Sequence, residues 1–174
     1  EDFAIRHFEQ CGYQALFVES SPFHVLFGVF TCLLLQDHDD PELRLVAFGE
    51  RFASEEMGKA SMIQTFLPAD FGTRRYFQRR TRSIEKHFEL IPEALEDRHD
   101  LIWLFQYWLE LSSDLRQYLW AYRQSDVDKA LRLLSLLPPL AVKRILHYLI
   151  GSYWERYLGW PDLLVYNDAT YFLA

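Results

Sequence analysis

Cysteine, glycine and proline are scarce in this sequence. Its 174 residues contain 2 Cys, 7 Gly and 7 Pro, which excludes a disulfide-stapled secreted scaffold and a collagen-like or low-complexity chain. Cys11 and Cys32 lie in apolar stretches, where reduced and buried thiols are common. We therefore expect an intracellular protein without structural disulfides.

Long apolar runs are also absent. The longest, residues 23–35, has 13 residues, fewer than the roughly 18 to 20 that a membrane-spanning helix needs. No basic segment precedes it, so a secretory signal is not indicated, and we expect no membrane partner. The run predicts a buried core helix instead.

An excess of positive charge is missing as well. The net charge of −7 argues against a domain held on nucleic acid by bulk charge, so any phosphate contact must be local. The six histidines show neither a His-x-x-x-His spacing nor a Cys partner. A zinc site is therefore not predicted.

What the chain does have is apolar and aromatic surface, 50% and 17% of its residues, enough to fill one core. Periodicity and capping residues predict helices at 1–10, 22–36, 71–90, 100–122, 126–137 and 140–157. Strands are predicted at 13–19, 162–166 and 170–174, the last two joined by a turn at 167–169. This pattern indicates an α/β unit whose sheet is assembled from both ends of the chain, around a long and mostly helical insert.

The turn at 159–162 is the sharpest local signal. It presents Asp162 at the start of an apolar strand, directly after a proline that fixes the turn. Carboxylate oxygens suit a hard divalent cation such as Mg²⁺. One carboxylate is not a metal site, and on its own an Asp in this setting is usually a turn residue.

The order of motifs along the chain resembles the VRR-NUC nuclease domain of the Fanconi-associated nuclease family, within the PD-(D/E)xK superfamily. That domain opens with a helix, a Gly, a strand and a Glu before an apolar helix. A Gln, a Pro and an Asp then precede an aromatic and Arg-rich segment, and the catalytic Asp follows near the end. The matching residues here are Gly12, Glu19, Ser20, Ser21, Gln64, Pro68, Asp70, Tyr76, Phe77, Arg79, Arg80 and Asp162.

The resemblance implies a restriction-endonuclease-like core and one VRR-NUC-like domain over residues 1–174. It makes Glu19 and Asp162 catalytic metal ligands for Mg²⁺ or Mn²⁺, and Gln64 a candidate at the edge of the site. The implied function is metal-dependent, structure-specific cleavage of 5′-flap or branched DNA in repair, including interstrand crosslinks, with DNA repair proteins as further partners. The implied compartment is the cytoplasm or nucleoid of a bacterium, or the nucleus of a eukaryote.

One element of the family pattern is missing, because no Glu-x-Lys follows Asp162 before Ala174. We therefore expect a domain truncated at its C-terminal end, and a 174-residue segment that is inactive alone. The alternative is a non-catalytic helical scaffold or DNA-docking module. In that case Asp162 is a turn residue and Glu19 only complements the dipole of the following helix.

Residues 71–90 carry six basic and two acidic side chains. On a helix, Arg75, Arg79, Arg82 and Lys86 share one face, which predicts a sequence-independent contact with the DNA backbone. The alternative is a solvated helix face whose cations pair with acids elsewhere in the chain.

Overall fold

The computed structural model describes residues 2–49, 62–120, 123–167 and 170–173. Its helices are α1 (Asp2–Gln10), α2 (Ser21–Leu35), α3 (Arg74–Phe88), α4 (Arg98–Trp108), α5 (Ser113–Leu119), α6 (Gln124–Leu136), α7 (Pro139–Gly151) and α8 (Tyr153–Arg156). Its strands are β1 (Gln14–Phe17), β2 (Leu43–Gly49), β3 (Met62–Pro68), β4 (Leu163–Tyr166) and β5 (Tyr171–Leu173). The fold is mixed, with helix predominating over two small antiparallel sheets.

The central sheet joins the two ends of the chain, as the sequence predicts. β4 lies between β1 and β5, and both neighbours are antiparallel to it. Phe17 pairs with Leu163 and Gln14 with Tyr166, so the end of β1 lies beside the start of β4. The predicted turn between β4 and β5 falls partly on residues 168 and 169, outside the described residues. The restriction-endonuclease-like core remains a prediction.

A β-hairpin corrects the expectation that the middle of the chain is helical. β2 and β3 pair antiparallel from Leu43 opposite Pro68 to Gly49 opposite Met62. Along β3, Thr65 and Leu67 are buried whereas Gln64 and Phe66 are exposed, the period of two expected of a strand with one packed face. Residues 50–61, between these strands, lie outside the described residues.

Helix α2 is the centre of the core, as its all-round apolarity predicts. Pro22 lies in its first turn, where a proline is tolerated because its missing N–H would have no helical partner. Except for Ser21 and Leu33, all of its residues are buried. Helices α4, α5, α6 and α7 pack around it. The segment that follows β1 is thereby fixed by the hydrophobic core of the described residues.

Two predicted helices are each interrupted. The helix predicted at 100–122 ends at Trp108 and resumes at Ser113; residues 121 and 122 lie outside the described residues. The Arg116 guanidinium fills the break, since its Nη2–H donates to the Leu109 carbonyl and its Nε–H to the Ser112 hydroxyl. The helix predicted at 140–157 is interrupted at Ser152, directly after Gly151, which is a poor helix former.

Of the two thiols, Cys32 is buried and Cys11 is exposed, so the expectation of burial holds for one of them. Burial raises the pKa of the Cys32 thiol to about 11, which keeps that thiol protonated and inert. Within the described ranges, no helix combines the length and the apolarity needed to cross a membrane.

Candidate functional site

The structure brings Glu19 and Asp162 side by side at one end of the central sheet. The Asp162 carbonyl accepts hydrogen bonds from two successive N–H groups, that of Val18 at 2.8 Å and that of Glu19 at 3.3 Å. These bonds continue the β1–β4 ladder by one step beyond its regular pairs. Two residues 143 positions apart therefore lie on neighbouring backbones, and both side chains are exposed.

The backbone of Glu19 is unusual. Its φ is +53°, and among the described residues no other non-glycine position has a positive φ. This left-handed conformation costs an L-residue with a Cβ about 1 to 2 kcal/mol. It turns the chain from the end of β1 into the first turn of α2, whose N-terminal N–H groups carry partial positive charge. Strain of this kind occurs preferentially at functional sites.

Aromatic packing fixes the turn that carries Asp162. The Trp160 ring stacks on the Phe23 ring of α2 with centroids 4.5 Å apart, and its indole N–H donates to the Arg156 carbonyl at 3.0 Å. Gly159 has a φ of +80°, which suits glycine in this tight turn. The turn is therefore attached to the same helix end that follows Glu19, so the two carboxylates share one support.

His24 makes a second connection between α2 and this turn. Its Nε2–H donates to the Tyr157 carbonyl at 2.8 Å, and its Nδ1 accepts from the Tyr153 hydroxyl at 2.7 Å. Because a carbonyl only accepts, this pattern assigns the neutral tautomer protonated on Nε2. Burial lowers the pKa of His24 to about 4, although the bond to the Tyr157 carbonyl opposes that shift. His24 is a packed histidine, and its ring also stacks on Trp120.

The carboxylates of Glu19 and Asp162 have no cation beside them in the part of the chain that the structure describes. Two exposed acids on adjacent backbones can direct carboxylate oxygens toward a shared divalent cation. Hard oxygen donors of this type fit Mg²⁺ or Mn²⁺, which usually take one or two carboxylates together with water and substrate phosphate. No cluster of three ligating side chains occurs within the described ranges.

Gln64 does not join this pair. Its neighbour Thr65 accepts a hydrogen bond from the Gln36 amide at 2.8 Å, and Gln36 caps the C-terminal end of α2. Glu19 precedes the N-terminal end of the same helix, whose 15 residues span about 22 Å. The structure therefore gives no support to Gln64 as part of the site's edge.

Arg79 belongs to the predicted phosphate-contacting face, but it is not free to contact phosphate because it is bound to two acids of the protein. Its guanidinium donates to Asp70 at 2.8 and 3.0 Å and to Asp40 at 2.7 and 3.0 Å. The side chains of Asp40 and Asp70 are 0% and 6% exposed. Four of the five N–H donors that a guanidinium carries are thus used, and these hydrogen bonds raise the pKa of Arg79. Arg79 is a structural cation that joins α3 to the β2–β3 hairpin.

Arg80 extends the same cluster. It contacts Asp37 at 2.6 Å and Asp40 at 3.2 Å. The hydrogen bond from Arg80 lowers the pKa of Asp37. Burial alone would raise the pKa of Asp40, but the hydrogen bonds and charges of Arg79 and Arg80 outweigh burial and lower it. These five residues (Asp37, Asp40, Asp70, Arg79 and Arg80) are called the acid–arginine cluster below.

The rest of the predicted face is exposed. Arg75 is 70% exposed and only loosely paired, at 3.5 Å from Glu42 and 3.8 Å from Asp70. Arg82 and Lys86 are exposed and have no ion pair within the described ranges. Of the four predicted cations, Arg75, Arg82 and Lys86 are therefore available to contact phosphate. Their contact with DNA stays a prediction.

Sequence reasoning did not predict how His24 and Trp160 support the site. Their ring partners lie far away in sequence, Trp120 for His24 and Phe23 for Trp160. The signal that could have found them is the density of rings at 153–160, where three aromatic residues precede Gly159. Aromatic rings at this density need an apolar surface to pack against, and the apolar helix α2 is such a surface.

No protein-family model matches the chain, and neither does any curated protein. Among solved structures, 10 chains match. One of them is the crystal structure of paFAN1 bound to a 2-nucleotide 5′ flap DNA with a gap, at 20% sequence identity and a TM-score of 0.64. The match covers 98% of this chain and 28% of the paFAN1 chain. The protein thus has the fold of one part of paFAN1.

Proposed function

We propose that this protein is a FAN1-like, metal-dependent and structure-specific DNA nuclease that hydrolyses phosphodiester bonds in 5′-flap or branched DNA during repair. The observation that carries the proposal is the juxtaposition of Glu19 and Asp162. Two exposed acids, with no cation beside them among the described residues, meet at the end of a sheet. One lies on a strained backbone and the other on a turn fixed by aromatic packing. The buried acids Asp40 and Asp70, by contrast, are paired with Arg79 and Arg80.

The fold supports DNA as the substrate. The structural neighbour is described as paFAN1 bound to a 5′ flap DNA, and almost all of this chain superposes on part of it. This chain spans 28% of that neighbour, so the activity and partners of the whole protein are part of the proposal. Arg75, Arg82 and Lys86 supply exposed cations for a backbone contact in a chain of net charge −7.

In the proposed site, Glu19 and Asp162 hold Mg²⁺ or Mn²⁺ through carboxylate oxygens. When bound, such a cation polarises the scissile phosphate and lowers the pKa of an attacking water. The N-terminal end of α2 contributes a field that favours negative charge beside Glu19. Phe23 and His24 hold the Asp162 turn against that helix end, which limits the movement of one carboxylate relative to the other.

Cleavage of a 5′-flap DNA by the intact protein with Mg²⁺ tests the proposal. Glu19→Gln and Asp162→Asn are expected to lower the cleavage rate by at least about a thousandfold while DNA affinity changes little. Asp39→Asn, an exposed acid outside the site, is the matched control and should cleave normally. Near-normal cleavage by both site variants would contradict the assignment.

A second candidate is a DNA-docking module without catalysis. One observation favours it, because the described residues supply two adjacent acids and no third ligating side chain at the same place. The same assay separates the two functions. A docking module binds flap DNA without cleaving it, and its DNA affinity is independent of Mg²⁺.

A further inference from the structure

A cavity of about 560 Å³ opens at the far end of the central sheet from Glu19 and Asp162. Arg98 at the start of α4 and Arg132 near the end of α6 both line it. None of the described residues that line it is acidic. In a chain with 25 acidic and 18 basic residues, the described lining of this cavity therefore carries positive charge.

Arg98 has unused hydrogen-bonding capacity in this cavity. Its Nη1–H donates to the Ser135 carbonyl at 2.9 Å, which caps the C-terminal end of α6. Its Nε is buried and therefore out of reach of a ligand in the open cavity. The other guanidinium N–H groups of Arg98, which lines the cavity, remain as charged donors for an anion there.

Arg132 is held toward the same space by Tyr166. Its Nη2–H donates to the Tyr166 hydroxyl at 2.8 Å, and its guanidinium carbon lies 5.2 Å from the centroid of that ring. Neither Arg98 nor Arg132 forms an ion pair within the described ranges. Both arginines line the same cavity, and Arg98 contacts the backbone of α6 at Ser135, three residues after Arg132.

The cavity is separate from the carboxylate pair. Tyr166, which lines it, lies four residues after Asp162 along β4, a distance of about 13 Å at the usual strand rise. Gln14 and Thr170 also line it, and both are neutral residues with hydrogen-bonding side chains. The cavity volume falls in the range of small-ligand sites.

We propose that this cavity binds a phosphate group through Arg98 and Arg132. Guanidinium N–H groups match phosphate oxygens in pairs and give strong charge-assisted hydrogen bonds. The phosphate belongs either to the backbone of a nucleic acid or to a small phosphorylated molecule. The site needs no metal and no cleavage, so it goes beyond the proposed nuclease function and is tested independently of it.

Titration of the intact protein with inorganic phosphate, followed by calorimetry, tests the site directly. We expect saturable binding, with a Kd at least about tenfold higher in Arg132→Gln. Arg144→Gln, which removes an exposed arginine of α7 outside the cavity, should leave the Kd unchanged. Arg98→Lys keeps the charge at the other arginine and should weaken binding while preserving the thermal midpoint. Absence of phosphate binding, or equal Kd values for Arg132→Gln and the wild type, would overturn the proposal.

A second arm identifies the source of the phosphate. If it comes from a nucleic acid, Arg132→Gln lowers affinity for duplex DNA and flattens the slope of log affinity against log salt by about 0.9. If it comes from a small molecule, phosphate still binds to the wild type and DNA affinity is the same in both proteins. Both outcomes support a phosphate site, and neither depends on whether Asp162→Asn abolishes cleavage.

Discussion

Two groups of carboxylates in this protein receive opposite treatment. In the acid–arginine cluster, Asp40 and Asp70 are buried, and Arg79 and Arg80 neutralise them at 2.7 to 3.2 Å. At the end of the central sheet, Glu19 and Asp162 are exposed and have no cation beside them in the described ranges. The first arrangement stabilises a fold, whereas the second leaves negative charge available for a ligand. The structural acids and the candidate catalytic acids therefore differ in their burial and in their cation partners, not in residue type.

The largest expected effect concerns the acid–arginine cluster. Arg79→Gln should lower the free energy of unfolding by about 3 kcal/mol, since it leaves two buried carboxylates without their main cation. Arg75→Gln, one turn earlier on the same helix and 70% exposed, should change it by less than about 0.5 kcal/mol. Urea unfolding of both variants measures the difference. Equal and small effects would mean that the cluster is not structural.

The contrast between Arg75 and Arg79 also shows how much of this helix face could be predicted from the sequence. Helical spacing placed Arg75 and Arg79 on one face of one helix, and the helix is present. Whether a cation on that face meets water or a buried acid depends on Asp40 and Asp70, which flank the β2–β3 hairpin and are brought together when its strands pair. Local periodicity carries no information about this pairing.

The carboxylate pair was more predictable. Short apolar strands flanking Glu19 and Asp162 were recognisable from their bounding turns, and the pairing of the two chain ends followed from the strand signals alone. The positive φ of Glu19 was not predictable, because a Glu carries no left-handed preference and the conformation is imposed by the packing of α2. The cavity lined by Arg98 and Arg132 was not predictable either, because its shape depends on how α4, α6 and the central sheet pack against one another.

The second largest effect is a pH dependence that comes from His24. Its pKa is about 4 in the folded protein and about 6.5 in an unfolded chain. The unfolded state therefore binds the proton first, and stability falls as pH drops from 6.5 toward 4. At pH 5 the expected loss relative to pH 7.5 is about 2 kcal/mol. His87, whose pKa burial also lowers, acts in the same direction.

Urea unfolding at pH 7.5 and 5.0 measures this dependence. His24→Gln should remove most of the contribution of His24, although the variant is less stable at both pH values. His99→Gln, which changes an exposed histidine, should keep the full wild-type dependence. A His24→Gln protein with the wild-type pH dependence would show that His24 is accessible to protons in the folded state.

A smaller effect tests the strain at Glu19. Glu19→Gly and Glu19→Ala both remove the carboxylate, but only glycine adopts a φ of +53° without a Cβ penalty. The glycine variant should therefore be more stable than the alanine variant by about 1 kcal/mol, while neither cleaves DNA. Thermal and urea unfolding compare the two. An alanine variant that is as stable as the glycine variant, or more stable, would mean that the backbone at Glu19 is not strained.

The smallest expected effect concerns the exposed cations of α3. Replacing Arg82 by Gln should weaken binding to all duplex sequences alike and flatten the salt dependence by about 0.7 to 0.9 per lost phosphate contact. Arg44→Gln, an exposed arginine on β2 bonded to nearby backbone carbonyls, is the control. An unchanged slope for Arg82→Gln, and likewise for Lys86→Gln, would make these side chains a solvated face.

Binding of Mn²⁺ to the intact protein, measured by electron paramagnetic resonance, shows whether Glu19 and Asp162 hold a metal ion. We expect Glu19→Gln and Asp162→Asn each to weaken Mn²⁺ binding by at least about tenfold. Asp39→Asn, an exposed acid away from the site, should bind Mn²⁺ as the wild type does. Wild-type Mn²⁺ affinity in both site variants would contradict the claim that the unpaired carboxylates form the metal site.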